Sequence, residues 1–172
     1  MYKFMLLMII FFLCVILYLC KSKDAVTGIT NITQSCVCVN DGMLLLEYDG
    51  PKAQIVWRDG KSSFFCEPRE AFYEIHNPAV KNRIKHFLVQ DFSGIPWGSY
   101  TDRWVNAYTA FFVINSSKNG AMGVSFVPFS NECSANAFKI IYGGKVVLFS
   151  LITPQELLKS NELLKKRLLE DL

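Results

Sequence analysis

The residues best suited to chemistry in this sequence are sulfur side chains just after its apolar N-terminus. Cys36, Cys38 and Met43 fall within eight residues, in the stretch CVCVNDGM, and Met122 follows a tight-turn signal in NGAMGVSF. Thiolate and thioether groups are soft ligands, and such a set with little imidazole favours Cu(I) over zinc. Asp41 adds a harder carboxylate to the same stretch. The pattern indicates a copper site, with ordinary core packing of the methionines as the alternative.

Residues for hydrolytic or transfer chemistry are few. His76 lies at the end of a predicted helix, where it can satisfy terminal carbonyls, and His86 lies at the start of a predicted strand. The sequence contains no glycine-rich phosphate loop, and no local motif pairs a cysteine with a histidine. We therefore predict that the protein is not an enzyme, and keep a thiol-dependent enzyme as a weaker alternative.

The N-terminus carries a membrane-directed segment. Residues 4–20 contain no charged side chain and are flanked by Lys3 and Lys21. As a helix they would extend about 25 Å, slightly less than a bilayer core of ~30 Å. No small-x-small cleavage site precedes Lys21, so we predict an uncleaved anchor in residues 1–20, with lipidation of Cys20 or ordinary cleavage as alternatives. Residues 21–35 are predicted to be a polar tether, which places the remainder in the periplasm or another extracytoplasmic space.

Charge and cysteine content limit the partners of the exported part. The formal charge of the whole chain is +3, but residues 25–172 carry 15 Lys and Arg against 14 Asp and Glu. This near-neutral balance gives no electrostatic basis for nucleic-acid binding. Four cysteines, at positions 36, 38, 66 and 133, lie in the exported part, where an oxidising compartment predicts two disulfides.

The predicted elements occur in the same order twice. The predicted strands are 43–48, 53–58, 62–66, 86–92, 106–115, 122–129 and 145–150, with hairpin turns at Asp59-Gly60 and Asn119-Gly120. The predicted helices are 68–77, opened by Pro68, and 131–142, which Gly143-Gly144 ends. Each half therefore contains strand, strand, helix, strand. We predict an α+β fold of two stacked ββαβ units over residues 36–152.

The C-terminal residues 153–172 are predicted to form an amphipathic helix. Thr153 is a favourable N-cap, Pro154 suits the first helical position, and Glu156 completes a capping box. Leucines recur on one face of the segment and charged residues occupy the others. We expect this helix to dock on the domain, with a partner-binding helix as the alternative.

Several stretches together resemble one known family. They are Cys38 to Met43, GPKAQIVWRDGKSSFFCEPREAF, VNAYTAFFVINSSKNGAMGVSFVPFS and YGGKVVLFSLIT. In order and spacing they are similar to the NosL family, the copper chaperones that accompany nitrous oxide reductase. The resemblance runs from about Cys36 to Pro154. Its most specific parts are the C-x-x-C-G-M region, the G-x-M-G turn and the G-G-K-V strand.

The resemblance implies a membrane-attached periplasmic Cu(I) carrier, with the metal held by the cysteine and methionine of the C-G-M motif and by a second methionine. Cys38, Met43 and Met122 match the family pattern, whereas Asp41 stands in place of its second cysteine. Cys36 is a candidate supplementary ligand. The implied partners are a client copper enzyme such as nitrous oxide reductase, a membrane transporter complex, and lipid around residues 4–20. The alternative is a copper-free anchored binding module of the same fold, stapled by structural disulfides.

Overall fold

The computed structural model of the protein describes residues 29–170. The predicted anchor, residues 1–20, and the first part of the tether lie outside the described residues. Within residues 29–170, no helix combines the length and the apolar character that crossing a bilayer requires.

Residues 29–170 contain four helices, three of them close to where the sequence places them and a fourth, at Pro78–Lys81, that the sequence analysis does not predict. They are α1 Pro68–His76, α2 Pro78–Lys81, α3 Glu132–Tyr142 and α4 Pro154–Glu170. The Asn131 side chain accepts a hydrogen bond from the backbone N–H of Ser134 at 2.9 Å and caps α3. The Thr153 hydroxyl accepts one from the N–H of Glu156 at 3.3 Å at the start of α4. The predicted helices and these caps are therefore confirmed.

The strands form three antiparallel sheets. The strands are β1 Ala53–Trp57, β2 Ser62–Phe65, β3 Ile84–Gln90, β4 Trp104–Asn106, β5 Phe111–Ile114, β6 Asn119–Gly120, β7 Gly123–Val124, β8 Val127–Phe129 and β9 Lys145–Leu148. The sheet orders are β2-β1-β3-β4, β8-β5-β9 and β6-β7. In the two larger sheets the first strand of each unit is central, and its two neighbours flank it antiparallel. This repeated order confirms the α+β fold of two ββαβ units.

The two units bury their apolar faces against each other around helix α1. The fully buried ring of Phe72 lies 5.4 Å from Phe87 of the first sheet and 5.3 Å from Phe112 of the second, both edge-to-face. Phe126 and Phe149 also contact this ring. Aromatic pairs of this kind add to the free energy gained from burial alone. The packing around Phe72 therefore fixes α1 between the units, and α1 carries part of the site described below.

The predicted strand over residues 43–48 is wrong in detail. Only Leu44 makes a bridge, to Val37, and Leu45–Glu47 form a 3₁₀ turn. The buried Leu45 packs into a cluster with two cysteines, so the chain turns inward here before β1 begins. A local pattern of apolar residues cannot show that a segment is buried by a turn.

The predicted strand over 106–115 is divided in two. A 3₁₀ turn at Ala107–Thr109, capped by the Asn106 side chain, separates β4 from β5. The break occurs because β4 belongs to the first sheet and β5 to the second, so the chain must cross between them. Similarly, the predicted strand over 145–150 ends at Leu148 and continues as a 3₁₀ turn.

The predicted turn at Asn119-Gly120 is also wrong by two residues. Asn119 pairs with Val124 and Gly120 with Gly123, so the turn consists of Ala121 and Met122. Gly120 is required inside the strand, because a Cβ there would lie 1.5 Å from the Glu67 carboxylate oxygen Oε1. The two-residue shift places Met122 at the tip of the hairpin.

The glycine pair after α3 yields a stability prediction. Gly143 and Gly144 both have positive φ, at 70° and 91°, so alanine at either position strains the backbone by roughly 1–2 kcal/mol. A Cβ on Gly144 would also lie 2.6 Å from the Ile114 carbonyl oxygen, whereas one on Gly143 meets nothing within 4 Å. We expect Gly144→Ala to lower the free energy of unfolding by about 1–3 kcal/mol more than Gly143→Ala in urea titrations. Equal losses would contradict the close approach.

Candidate metal centre

The loop that carries the sulfur-rich stretch is held as a tight antiparallel turn. The backbone N–H of Cys38 donates to the Met43 carbonyl at 2.8 Å, and the N–H of Gly42 donates to the Cys38 carbonyl at 3.0 Å. The Asp41 carboxylate accepts from the N–H of Met43 at 3.0 Å, and Gly42 has φ of 75°. Asp-Gly is well suited to such a turn because Asp accepts a local hydrogen bond and Gly tolerates positive φ. The turn therefore fixes Asp41 beside Cys38.

A second segment brings another thiol and a carboxylate to this turn. The N–H of Val39 donates to the Phe64 carbonyl at 2.9 Å, which attaches the turn to β2. Cys66 follows β2 directly, and Glu70 lies in the first turn of α1, four residues later. Cys66 lies just before the N-cap residue Glu67, so the junction between β2 and α1 brings its thiol beside the Glu70 carboxylate.

Both thiols donate to the same carboxylate oxygen. Cys66 Sγ lies 3.1 Å from Glu70 Oε2, and Cys38 Sγ lies 3.6 Å from the same atom. The other oxygen of Glu70 accepts from the amide of Asn40 at 3.4 Å. Cys38, Asp41, Cys66 and Glu70 each present one ligand atom, and the four atoms all lie within 4.8 Å of one another.

These distances fit a single metal ion. A metal–thiolate bond of about 2.3 Å allows two sulfurs on one ion to be at most ~4.6 Å apart, close to the span of this cluster. The two cysteines are buried, Glu70 is half-buried, and Asp41 is exposed. The cluster therefore has soft sulfur donors at its base and a carboxylate at its solvent-facing side.

Burial sets the protonation of the two cysteines. Burial raises the pKa of the Cys38 thiol, and the Glu70 charge raises it further, although backbone N–H groups of Cys66 and Asn40 oppose the rise. Burial and the hydrogen bond to Glu70 raise the pKa of the Cys66 thiol strongly. Both sulfurs are therefore protonated in the metal-free protein, as their donation to Glu70 requires. A bound metal ion must displace these protons.

A buried lysine lies directly before β1. Lys52 is 2% exposed, and its ammonium donates to the Tyr48 carbonyl at 2.8 Å and the Gly50 carbonyl at 2.9 Å. Burial lowers the pKa of Lys52, while the negative charge of Glu67 and of the thiolate forms of Cys66 and Cys38 would raise it. The ammonium of Lys52 is therefore held by backbone carbonyls in a buried position of the first unit.

The first turn of α1 is anchored to the second unit on both sides of the site. The buried carboxyl of Glu67 accepts from the Ser125 hydroxyl at 2.9 Å, and burial raises the pKa of Glu67 to about 8. The Arg69 guanidinium donates to the Met122 carbonyl at 2.7 Å and to the Asn161 side chain of α4 at 3.1 Å. Glu70 therefore projects from a well-fixed helical turn.

The sequence-predicted ligands are brought together to different degrees. Cys36 and Met43 pack against the buried cluster of Ile32, Cys38, Leu45 and Cys66. Ala121 packs against the same cluster, so the turn that carries Met122 lies beside it. The Met122 side chain itself is 39% exposed.

Sequence reasoning missed Cys66 and Glu70 as site residues. From the sequence, Cys66 is predicted only in a disulfide, and Glu70 is assigned no role. Cys66 precedes the N-cap of α1 and lies outside the helical repeat, so its spacing to Glu70 carries no helix-face signal. The approach of Cys38 to Cys66 depends on tertiary pairing of the turn with β2 and has no local signal.

The expected pair of disulfides is wrong for this structure, in which the cysteines at positions 36, 38, 66 and 133 are all free. Cys133 lies exposed on α3 of the second unit, whereas the other three share one cluster in the first unit. Cys38 and Cys66 instead donate to Glu70.

The two histidines are not members of the group formed by Cys38, Asp41, Cys66 and Glu70. His76 Nε2 lies 2.9 Å from the Ile152 carbonyl oxygen, and His86 belongs to β3.

Comparison with known proteins identifies the family. The family model described as NosL matches residues 29–157. This chain belongs to the NosL family. The NosL copper chaperone of Shewanella denitrificans, known from a crystal structure, superposes with a TM-score of 0.70 at 35% identity over 74% of this chain and 96% of that one.

Two curated NosL relatives are described as copper-binding lipoproteins. That of Achromobacter cycloclastes is 36% identical over 116 residues, which cover 64% of this chain and 60% of the relative. That of Stutzerimonas stutzeri is 30% identical over 112 residues, which cover 64% and 58%. The match thus spans about three fifths of the length of these NosL proteins.

Proposed function

We propose that this protein is a Cu(I)-binding chaperone whose ligands include Cys38, Met43 and Met122. The observation that carries the proposal is the buried Cys38 sulfur, held by a tight turn that places the Met43 backbone against it. Thiolates also bind zinc, but a set that combines thiolate with thioether donors and little imidazole favours Cu(I). The copper-binding names of the relatives agree with this cargo. Cys36 and Asp41 are secondary candidate ligands at the same turn.

The ion would be delivered by ligand exchange to an extracytoplasmic copper enzyme such as nitrous oxide reductase. Exposed Asp41 and Met122 border the candidate site, so an incoming ligand can reach the ion without unfolding of the domain. A membrane transporter complex is a second partner. Residues 1–20 would hold the domain, residues 36–152, at the outer face of the cell membrane, with residues 21–35 as the tether. The lipoprotein names of two relatives support this attachment. The role requires no catalytic step, and we propose none.

Asp41 favours one alternative, a copper-free binding module of the same fold. A carboxylate is a hard ligand and a poor substitute for the family's thiolate toward Cu(I). Such a module would retain the two stacked units and would bind a partner through their surface, without holding copper.

Copper stoichiometry separates these two functions. We expect the reduced full-length protein, in detergent and without oxygen, to take one Cu(I) per chain from a chromophoric Cu(I) chelator. A thiolate-to-Cu(I) charge-transfer absorption should grow in parallel. Failure to compete with even a weak chelator would eliminate the chaperone and leave the binding module.

A further inference from the structure

The Cys38 thiol has a second buried thiol as its neighbour. Cys66 is fully buried, and its ligand atom lies within 4.8 Å of the Cys38 sulfur. The two thiols come from segments 28 residues apart in sequence, the tight turn and the end of β2. Cys66 therefore offers a thiol in place of the one that is absent at position 41, and it comes from a different segment of the chain.

The surroundings of the two thiols lack a compensating cation at contact distance. Glu70 accepts from both thiols and from Asn40, and Asp41 lies in the same group. Among the side chains that the structure describes, neither Glu70 nor Asp41 takes part in an ion pair. Lys52, the nearby buried cation, donates to backbone carbonyls. A group of two thiols and two carboxylates without an ion pair is suited to a metal cation.

We propose that Cys66 is the second thiolate ligand of the copper site, so that Cys38 and Cys66 hold Cu(I) between them. This inference rests on the proposed function and deepens it by assigning a ligand outside the C-G-M region. Binding would follow 2 RSH + Cu⁺ → Cu(SR)₂⁻ + 2 H⁺, in which two S–H bonds break and two Cu–S bonds form. The thioethers of Met43 and Met122 are then supplementary, neutral donors.

The first test compares two cysteine variants of the full-length protein. We expect Cys66→Ser to weaken Cu(I) binding by about 10- to 100-fold, since it removes a thiolate and leaves Cys38 in place. Cys133→Ser is the matched control, because Cys133 is an exposed thiol on α3 and the chemical change is the same. The readouts are chelator competition and the charge-transfer absorption of the copper-loaded protein. Unchanged affinity in Cys66→Ser, with Cys38→Ser impaired, would overturn the assignment while leaving the chaperone function intact.

A second measurement does not depend on whether the Cys66 variant folds. Copper X-ray absorption of the loaded wild-type protein should fit two thiolate sulfurs at one shell distance. A fit with a single thiolate and only longer thioether contacts would contradict the assignment. If wild-type protein binds no copper at all, the proposed function fails together with this inference, and the two failures are therefore distinguishable.

Discussion

Replacing Cys38 by serine should lower the affinity for Cu(I) by at least about 100-fold. Substitution of a residue that only supports the ligands of a metal typically lowers the affinity by about 10- to 100-fold, and loss of a ligand itself should cost at least the upper end of that range. Cys38 matches the family pattern, lies in the tight turn and belongs to the buried cluster. A serine hydroxyl is a hard, neutral donor and cannot replace a thiolate toward Cu(I). Competition with a chromophoric chelator measures the loss directly.

His76→Ala is the control for this substitution. Its imidazole lies against the Ile152 carbonyl, away from the four-residue cluster, so its removal should leave copper affinity unchanged. Thermal unfolding of both variants separates a lost ligand from a lost fold. Equal copper affinities for Cys38→Ser and His76→Ala would exclude the cluster as the binding site.

The fold was predictable from sequence where local signals determine it. Helix α1 begins with Pro68 and ends at Asn77, and α3 begins after the capping Asn131 and ends at Gly143; these signals are short-range. Errors arose where the chain changes sheet or turns inward, as at Ala107–Thr109 and Leu45–Glu47. There, tertiary packing overrides an apolar pattern that suits a strand equally well.

The site was predictable only in its local half. Cys36, Cys38, Asp41 and Met43 are neighbours in sequence and remain neighbours in space. Cys66 joins them because the N–H of Val39 pairs with the carbonyl of Phe64, a contact between segments with no shared pattern. A sequence-level rule for extracytoplasmic cysteines favoured disulfides instead. That rule uses the cellular compartment and the number of cysteines. It does not include the effect of a carboxylate that accepts hydrogen bonds from two thiols.

The substitution Asp41→Cys restores the family's thiol and should tighten Cu(I) binding by about 10-fold or more, the scale on which single changes around a metal site act. The Asp41 carboxylate already lies within 4.8 Å of both cysteine sulfurs and of Glu70, so a thiolate at this position can reach the same ion. It would lose the hydrogen bond from the Met43 N–H, which costs the turn about 1 kcal/mol. Asp41→Asn is the matched control, since it keeps that acceptor and adds no soft donor.

Tighter binding in Asp41→Cys should be accompanied by slower release to an acceptor. A chaperone must give up its ion, and a third thiolate would have to be displaced before transfer. Stopped-flow transfer from loaded protein to a chelator measures this rate, with Asp41→Asn expected to release copper no more slowly than wild type, because it adds no thiolate. If Asp41→Cys binds no tighter, position 41 does not reach the ion. If it alone binds copper while wild type does not, the scaffold is intact and the natural sequence has lost the function, which would favour the binding module.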